Sequence, residues 1–279
     1  MAIKDLLVAY DGNENAKRAV QFAVQMAEKY DASITGLHVY KPKEYESQYR
    51  RWIPESVLKN IQEAELSAEK SIEDDFHEQI KAAGAKSKAK WITCEGRADV
   101  LMPRYARYFD LLIAGQFRGV DHSGGGSLNA EELLLRSGKP IIAVPASYER
   151  QPFKEEAAVA WDGSRAAARA LTDAMQILET KKRLDVIRLI DDAEDEDKRV
   201  LPEHDLIAHL TAHGINANLV QLKASKRDAG RTILDHCAQT NPDLLVMGAY
   251  GRGKFGSFLF GSTAQYVLKN MTVPVLMSH

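Results

Sequence analysis

Short apolar runs recur along the chain, separated by longer stretches in which apolar residues return every three or four positions. The runs predict strands over 5–9, 33–39, 87–92, 111–114 and 141–144, and again over 157–160, 184–189, 217–221, 244–247 and 273–277. The stretches between them predict helices. The strands are continuously apolar rather than alternating, as in a sheet covered on both faces, so the expected class is α/β: two tandem open, twisted, five-stranded parallel sheets with helices on both sides.

The pattern occurs twice because the sequence repeats. Val8-Ala-Tyr-Asp11-Gly12 matches Val159-Ala-Trp-Asp162-Gly163 at an offset of 151, and Ala16, Arg18 and Ala19 match Ala167, Arg169 and Ala170 at the same offset. Asp110-Leu-Leu-Ile-Ala-Gly115 matches Asp243-Leu-Leu-Val-Met-Gly248 at an offset of 133. The first copy therefore carries about eighteen extra residues between Lys41 and Gly84, where residues 55–83 read as one long amphipathic helix. These matches set domains of 1–148 and 149–279, joined through a polar stretch over 147–156. The closing apolar strand of each copy would be an exposed edge, so the copies are expected to pair there as an internal pseudo-dimer.

Chemistry concentrates where Gly248-Ala-Tyr-Gly251 leads on to Gly261-Ser262-Thr263, between a buried strand and a helix. Glycines let backbone amides approach an oxyanion closely, a helix start is positive, and Ser262 and Thr263 add hydroxyls. This reads as a phosphate cradle. In open parallel sheets ligands bind beyond the strands' carboxyl ends at a switch point, where Asp162 also falls.

Other motifs are weaker. Gly251-Arg-Gly-Lys-Phe-Gly256 has the letters of a dinucleotide fingerprint, but it follows a fourth strand and its helix opens late. Neither a GxxxxGK[ST] loop nor a GxSxG elbow occurs. His209 and His213 stand a helical turn apart without an HExxH glutamate, and the acidic run 191–197 reads as a solvated loop. No catalytic residue and no metal site is nominated.

Of the 279 residues, 45% are hydrophobic and 27% charged, and the formal net charge is −2, which gives no general attraction for nucleic acid. The two cysteines, Cys94 and Cys237, form no CxxC pair, and no window is long and apolar enough to span a membrane. A cytoplasmic protein is expected.

With Asp162, the Gly-x2-Gly-x9-Gly-Ser run and the repeated five-strand order in hand, the chain resembles the universal stress protein family in its tandem form, over essentially its whole length. The resemblance implies a strand order of 3-2-1-4-5 and an ATP site, with Mg as a possible companion. Gly248, Gly251, Gly261 and Ser262 would hold phosphates with Thr263 beside them, Asp162 would bond the ribose, and Leu189 would border the adenine. In the first copy the matching positions are Asp11, Val39 and Gly115, but Arg118 replaces the second glycine and the next Gly-Ser pair is Gly126-Ser127, eleven residues from Gly115. That site is expected to be degenerate. The function so implied is an adenine-nucleotide-binding regulatory protein of the stress response, with unknown protein partners and at most slow hydrolysis. The alternatives are a slow ATPase or related nucleotide-cleaving enzyme, and a scaffold or module for another small ligand. Further association of two chains stays open.

Overall fold

The computed structural model describes residues 2–41, 53–84, 89–117, 130–190, 203–225, 227–252 and 258–279. Strands β1 (Asp5–Ala9), β2 (Ser33–Tyr40), β3 (Lys90–Glu95), β4 (Leu111–Gly115) and β5 (Ile141–Val144) belong to the first half. Their helices are α1 (Glu14–Tyr30), α2 (Glu55–Ala82), α3 (Ala98–Ala106) and α4 (Ala130–Ser137). The second half has β6 (Glu156–Ala160), β7 (Arg183–Ile190), β8 (Ala217–Lys223), β9 (Leu244–Gly248), β10 (Tyr250–Arg252), β11 (Phe258–Phe260) and β12 (Val275–Ser278). Its helices are α5 (Arg165–Leu178), α6 (Glu203–Ala212), α7 (Ala229–Thr240) and α8 (Ser262–Asn270).

Each half has the expected strand order, but the two sheets merge into one. The order is β3-β2-β1-β4-β5-β12-β9-β6-β7-β8, parallel within each half and antiparallel only where β5 meets β12, with Ile142 opposite Leu276. The two apolar closing strands cover one another's edges, which removes the liability each would have alone. One consequence follows from that single antiparallel step: the carboxyl ends of the two halves' strands point to opposite edges of the sheet.

Two apolar layers sandwich this sheet and both run across the junction. One holds Phe22 of α1, Phe76 of α2, Leu171 of α5 and Leu210 of α6; the other holds Met102 of α3, Leu133 of α4, Ile233 of α7 and Val267 of α8. The outermost strands β3 and β8 depart from the continuous apolar pattern, alternating half-buried and exposed residues, because no further strand adjoins them. Strand β3 also sits three residues later than its apolar run suggested.

The polar stretch between the halves is a strap rather than a loose linker. Tyr148 donates its hydroxyl to Gln25 Oε1 (2.7 Å), Arg150 pairs with Glu28 (2.6 Å), and the rings of Tyr148 and Phe153 pack edge-on against Phe22. Beyond it, the Asp243 carboxylate accepts the backbone N–H groups of Lys154 (2.9 Å), Glu155 (2.8 Å) and Glu156 (3.2 Å) and pairs with buried Lys181 (3.0 Å). Four donors on one carboxylate satisfy the charge that burial would otherwise leave costly.

Candidate functional site

In the second half, the candidate site forms where β6 passes chain to α5 on one side and β9 leads to α8 on the other. Asp162 is exposed in the turn after β6, where its Oδ1 accepts the N–H of Ser164 at 2.9 Å. Ser164 in turn caps α5, its Oγ accepting from Ala167 N–H at 3.1 Å. Strand register sets Ala160 beside Met247 on one side and Ile187 on the other, so Asp162, Gly248 and Leu189 converge at one edge. Leu189 is half-buried and packs against the layer containing α7 and α8.

Gly248 has a packing reason to be glycine. A Cβ there would lie 2.6 Å from Ala167 N and 2.7 Å from Ala166 C, in the first turn of α5. Only a residue without a side chain lets that helix start sit against the end of β9. Gly251 is not the turn glycine its spacing suggests. It is a strand residue of the ribbon β10–β11, paired with Leu259. This ribbon carries the chain out and back, and Gly261 N–H returns to Ala249 O at 3.3 Å.

Helix α8 therefore starts beside the end of β9. Its N-cap is Gly261, with φ −64° and ψ 141°, and no side chain caps it. Those angles are open to any residue, so backbone conformation does not demand a glycine there. Ser262 is exposed and Thr263 half-buried in the first turn, where a helix leaves amides without intrahelical partners. Glycine, two hydroxyls and a helix start thus lie by the end of β9, the strand beside β6 and the Asp162 turn that follows it.

The first half builds the same frame and fills it differently. Gly115 again admits a helix start, here with Asn15 O only 2.4 Å from where a Cβ would be. Asp11, however, is engaged through both oxygens by Asn13, from N–H (3.1 Å) and from Nδ2 (2.7 Å), whereas among the described residues Asp162 is engaged through Oδ1 alone. Val39 is half-buried at the end of β2; Gly126 and Ser127 lie outside the described residues.

The long helix α2 also closes on this half. Tyr10 donates to Asp75 Oδ2 at 2.5 Å, Glu69 pairs with His38 Nε2 at 2.9 Å, and Phe76 packs edge-on to Tyr10. Burial and then the Asp75 carboxylate push the Tyr10 phenol far above its ordinary range. Between α1 and α2 an open cleft of about 520 Å³ is bordered by Asp11, Asp74, Asp75, Glu78 and the single cation Lys17.

Charge separates the two halves. Register matches Leu37 to Ile187, so His38 corresponds to Arg188, and Glu95 at the end of β3 corresponds to Lys223 at the end of β8. The offset of 151 matches Glu14 to Arg165. At these three matched positions the second half has cations where the first has two carboxylates and a histidine, while the acidic run 191–197 follows β7 in the sequence of the second half.

Elsewhere, His209 and His213 contact edge-on at 4.8 Å between centroids, and His213 Nδ1 lies 3.6 Å from Glu179. Among the described residues no group of three potential ligands gathers for a metal, and no helix is long and apolar enough to cross a membrane. Cys94 is half-buried and Cys237 buried, and both are free thiols.

The architecture defines a tandem, doubly wound α/β protein with a candidate anion cradle at the switch point of one half. The sequence profile described as "Universal stress protein family" matches residues 2–145 and again 156–279. The chain belongs to the universal stress protein family. No curated protein sequence matches it. Among solved structures, it is similar to a universal stress protein from Archaeoglobus fulgidus at 19% identity, TM-score 0.74, covering 100% of this chain and 99% of the other. A putative universal stress protein from Pseudomonas aeruginosa is similar at 15% identity, TM-score 0.58, covering 99% and 93%. These likenesses show the fold.

Sequence reasoning passed over Arg165, although the offset that revealed the repeat also set it against Glu14. It also passed over Gln116, whose side chain bonds to the last carbonyls of α8. Nothing in the sequence pointed to that contact, which joins residues 152 positions apart.

Proposed function

We propose that the chain is an adenine-nucleotide-binding regulatory protein that holds one ATP, in its second half, and uses the bound state to alter contacts with protein partners during stress. Amides at the start of α8 with Gly248, Gly251, Gly261, Ser262 and Thr263 receive the phosphates, Asp162 the ribose and Leu189 the adenine. The single observation that carries this reading is the uncapped, glycine-led start of α8 set beside Gly248 and opposite Asp162. In the first half, Asp11 is tied to Asn13 and carboxylates dominate the cleft, so a triphosphate is disfavoured there.

Amides and hydroxyls stabilise phosphate oxygens but remove no proton from an attacking water, so binding is proposed rather than rapid turnover. Domains of 1–148 and 149–279 and a cytoplasmic location, in keeping with two free thiols, belong to the same proposal.

The test is to denature purified protein and identify released nucleotide by mass, then titrate Mg-ATP calorimetrically. One ATP per chain is expected. Gly261→Val should abolish binding without unfolding the chain, because its backbone angles suit valine. No released nucleotide and no heat on titration would defeat the reading.

A further inference from the structure

We propose that His209 and His213 form a site for one divalent transition-metal ion such as zinc, with Glu179 orienting His213. Helices α5 and α6 both run from the carboxyl edge of the second half's sheet back to its amino edge, so their ends meet at the edge opposite Asp162 and Gly261. Failure of the nucleotide reading would leave this site untouched.

The repeat marks the place as one that takes a cation. Glu28, near the end of α1, matches Glu179, the C-cap of α5, at the offset of 151. The long helix α2 and its counterpart α6 end alike: Gly84 and Gly214 have φ of +75° and +73°, and their N–H groups return at 2.9 Å to Lys81 O and Thr211 O. Ala83 and His213, just before these glycines, therefore hold equivalent positions. In the first half the Arg150 guanidinium bridges the pair, donating to Glu28 Oε2 at 2.6 Å and to the Ala83 carbonyl. In the second half, among the described residues, the partner of the Glu179 carboxylate is His213 instead, with Nδ1 at 3.6 Å from Oε1.

His213 brings a second imidazole with it. His209 stands one turn earlier on the same flank of α6, beside the buried Leu206 and Leu210, and the two ring centroids lie 4.8 Å apart. Two imidazoles held by one tetrahedral zinc through nitrogens about 2.0–2.1 Å from it would place their centroids about 5 Å apart. With Nδ1 of His213 turned to the carboxylate, Nε2 is the nitrogen left for a metal, an arrangement common to metal-bound histidines. The end of α6 adds the negative pole of a helix, which favours positive charge. Both histidines are exposed, so an ion reaches them without movement of the backbone. Among the described residues no group of three ligands gathers, so water would complete the coordination. Paired imidazoles suit zinc, nickel or copper over magnesium or calcium.

The experiment is calorimetric titration of untagged, chelator-treated full-length protein with zinc chloride, for wild type, His209→Gln, His213→Gln and Glu179→Gln, with magnesium chloride as the control ion. All three positions are exposed, so metal-free thermal melts should superimpose. Wild type should take up zinc and not magnesium. Each histidine variant should lose one zinc equivalent per chain, and Glu179→Gln should weaken that equivalent by about tenfold, the scale for removing the carboxylate behind a ligating imidazole. Zinc should raise the melting temperature of the wild type more than that of either histidine variant. No zinc uptake by the wild type, or the same uptake in either histidine variant, overturns the site. Unchanged affinity in Glu179→Gln overturns its orienting role, and equal uptake of magnesium overturns the choice of a transition ion.

Discussion

The side-chain amide of Gln116 donates to the backbone carbonyl of Leu268 at 3.0 Å, and to that of Lys269 at the same distance. Gln116 follows β4 in the first half, whereas Leu268 and Lys269 close α8, whose other end is the candidate cradle of the second. The same residue accepts Ala146 N–H on Oε1 (2.9 Å), and its carbonyl accepts from Asn15 Nδ2 (3.1 Å). One glutamine thus ties α8 to the strap and to the start of α1. Orphan carbonyls at a helix end need such donors.

Removing them should therefore be felt as stability. Gln116→Ala is expected to lower unfolding free energy by about 1–2 kcal/mol, from a few partly solvated hydrogen bonds. Gln116→Glu should cost more, since a carboxylate would face the negative end of α8 without the donor. Urea unfolding of the three proteins checks both the size and the order.

Gly248 and Gly163 should respond differently to the same substitutions. Alanine at 248 drives a Cβ into the backbone of α5 and should cost about 1–3 kcal/mol through the shift it forces. Gly163 has φ +70° with nothing within 4 Å of a Cβ, so alanine there meets only backbone strain of about 1–2 kcal/mol. Asparagine tolerates that left-handed conformation. Gly163→Asn should recover much of the loss, while Gly248→Asn should be worse than alanine. Chemical denaturation of the four variants decides it, and a rescue by asparagine at 248 would refute the packing account.

Most of the frame was legible in the sequence, and the reasons are local. Buried strands such as Leu111–Gly115 announce themselves as apolar runs, and the repeat matches them in pairs through Asp11 and Asp162, whereas their order in the sheet came from the family resemblance. The joining of the halves was anticipated from the apolar run at Ile141–Val144 and its counterpart, since such an edge must be covered. What was not legible depends on distant partners. The ribbon holding Gly251 is short and its strands pair with each other rather than with the main sheet, so glycine spacing alone read as a turn. The fate of the first copy was visible in Arg118 but not in the clasp of α2, which needs Tyr10 and Asp75, 65 positions apart, to meet.

Acid titration of His279 gives a direct check on where the Arg165 charge lies. Burial first, and then Arg165, lower this imidazole's value, so the unfolded chain binds its proton more readily than the folded one. The sign follows: the group costs the fold nothing well above its ordinary value of 6.5 and opposes folding increasingly as pH falls below it. Arg165→Glu should raise the folded value, because an attractive charge replaces a repulsive one. Nuclear magnetic resonance titration of the His279 ring in both proteins measures this. An unmoved midpoint would remove Arg165 from the neighbourhood of the cradle.

Alkaline pH should loosen the seam between the halves through two phenols. Tyr30 donates to or accepts from Thr180 Oγ1 at 3.1 Å across the junction, and Tyr148 fastens the strap to Gln25. Burial pushes both phenols up to about 12 from 10.0. Each raised value is stability that is fully present below pH 10 and is lost as pH rises from there toward 12, because the unfolded chain releases its protons first. Ultraviolet absorbance should accordingly show two tyrosines ionising together with loss of structure between those limits. Tyr148→Phe should cost about 1 kcal/mol at neutral pH, from the lost bond to Gln25, and should make the alkaline decline shallower. A decline of unchanged steepness in that variant would mean that the strap does not carry the alkaline sensitivity of the seam.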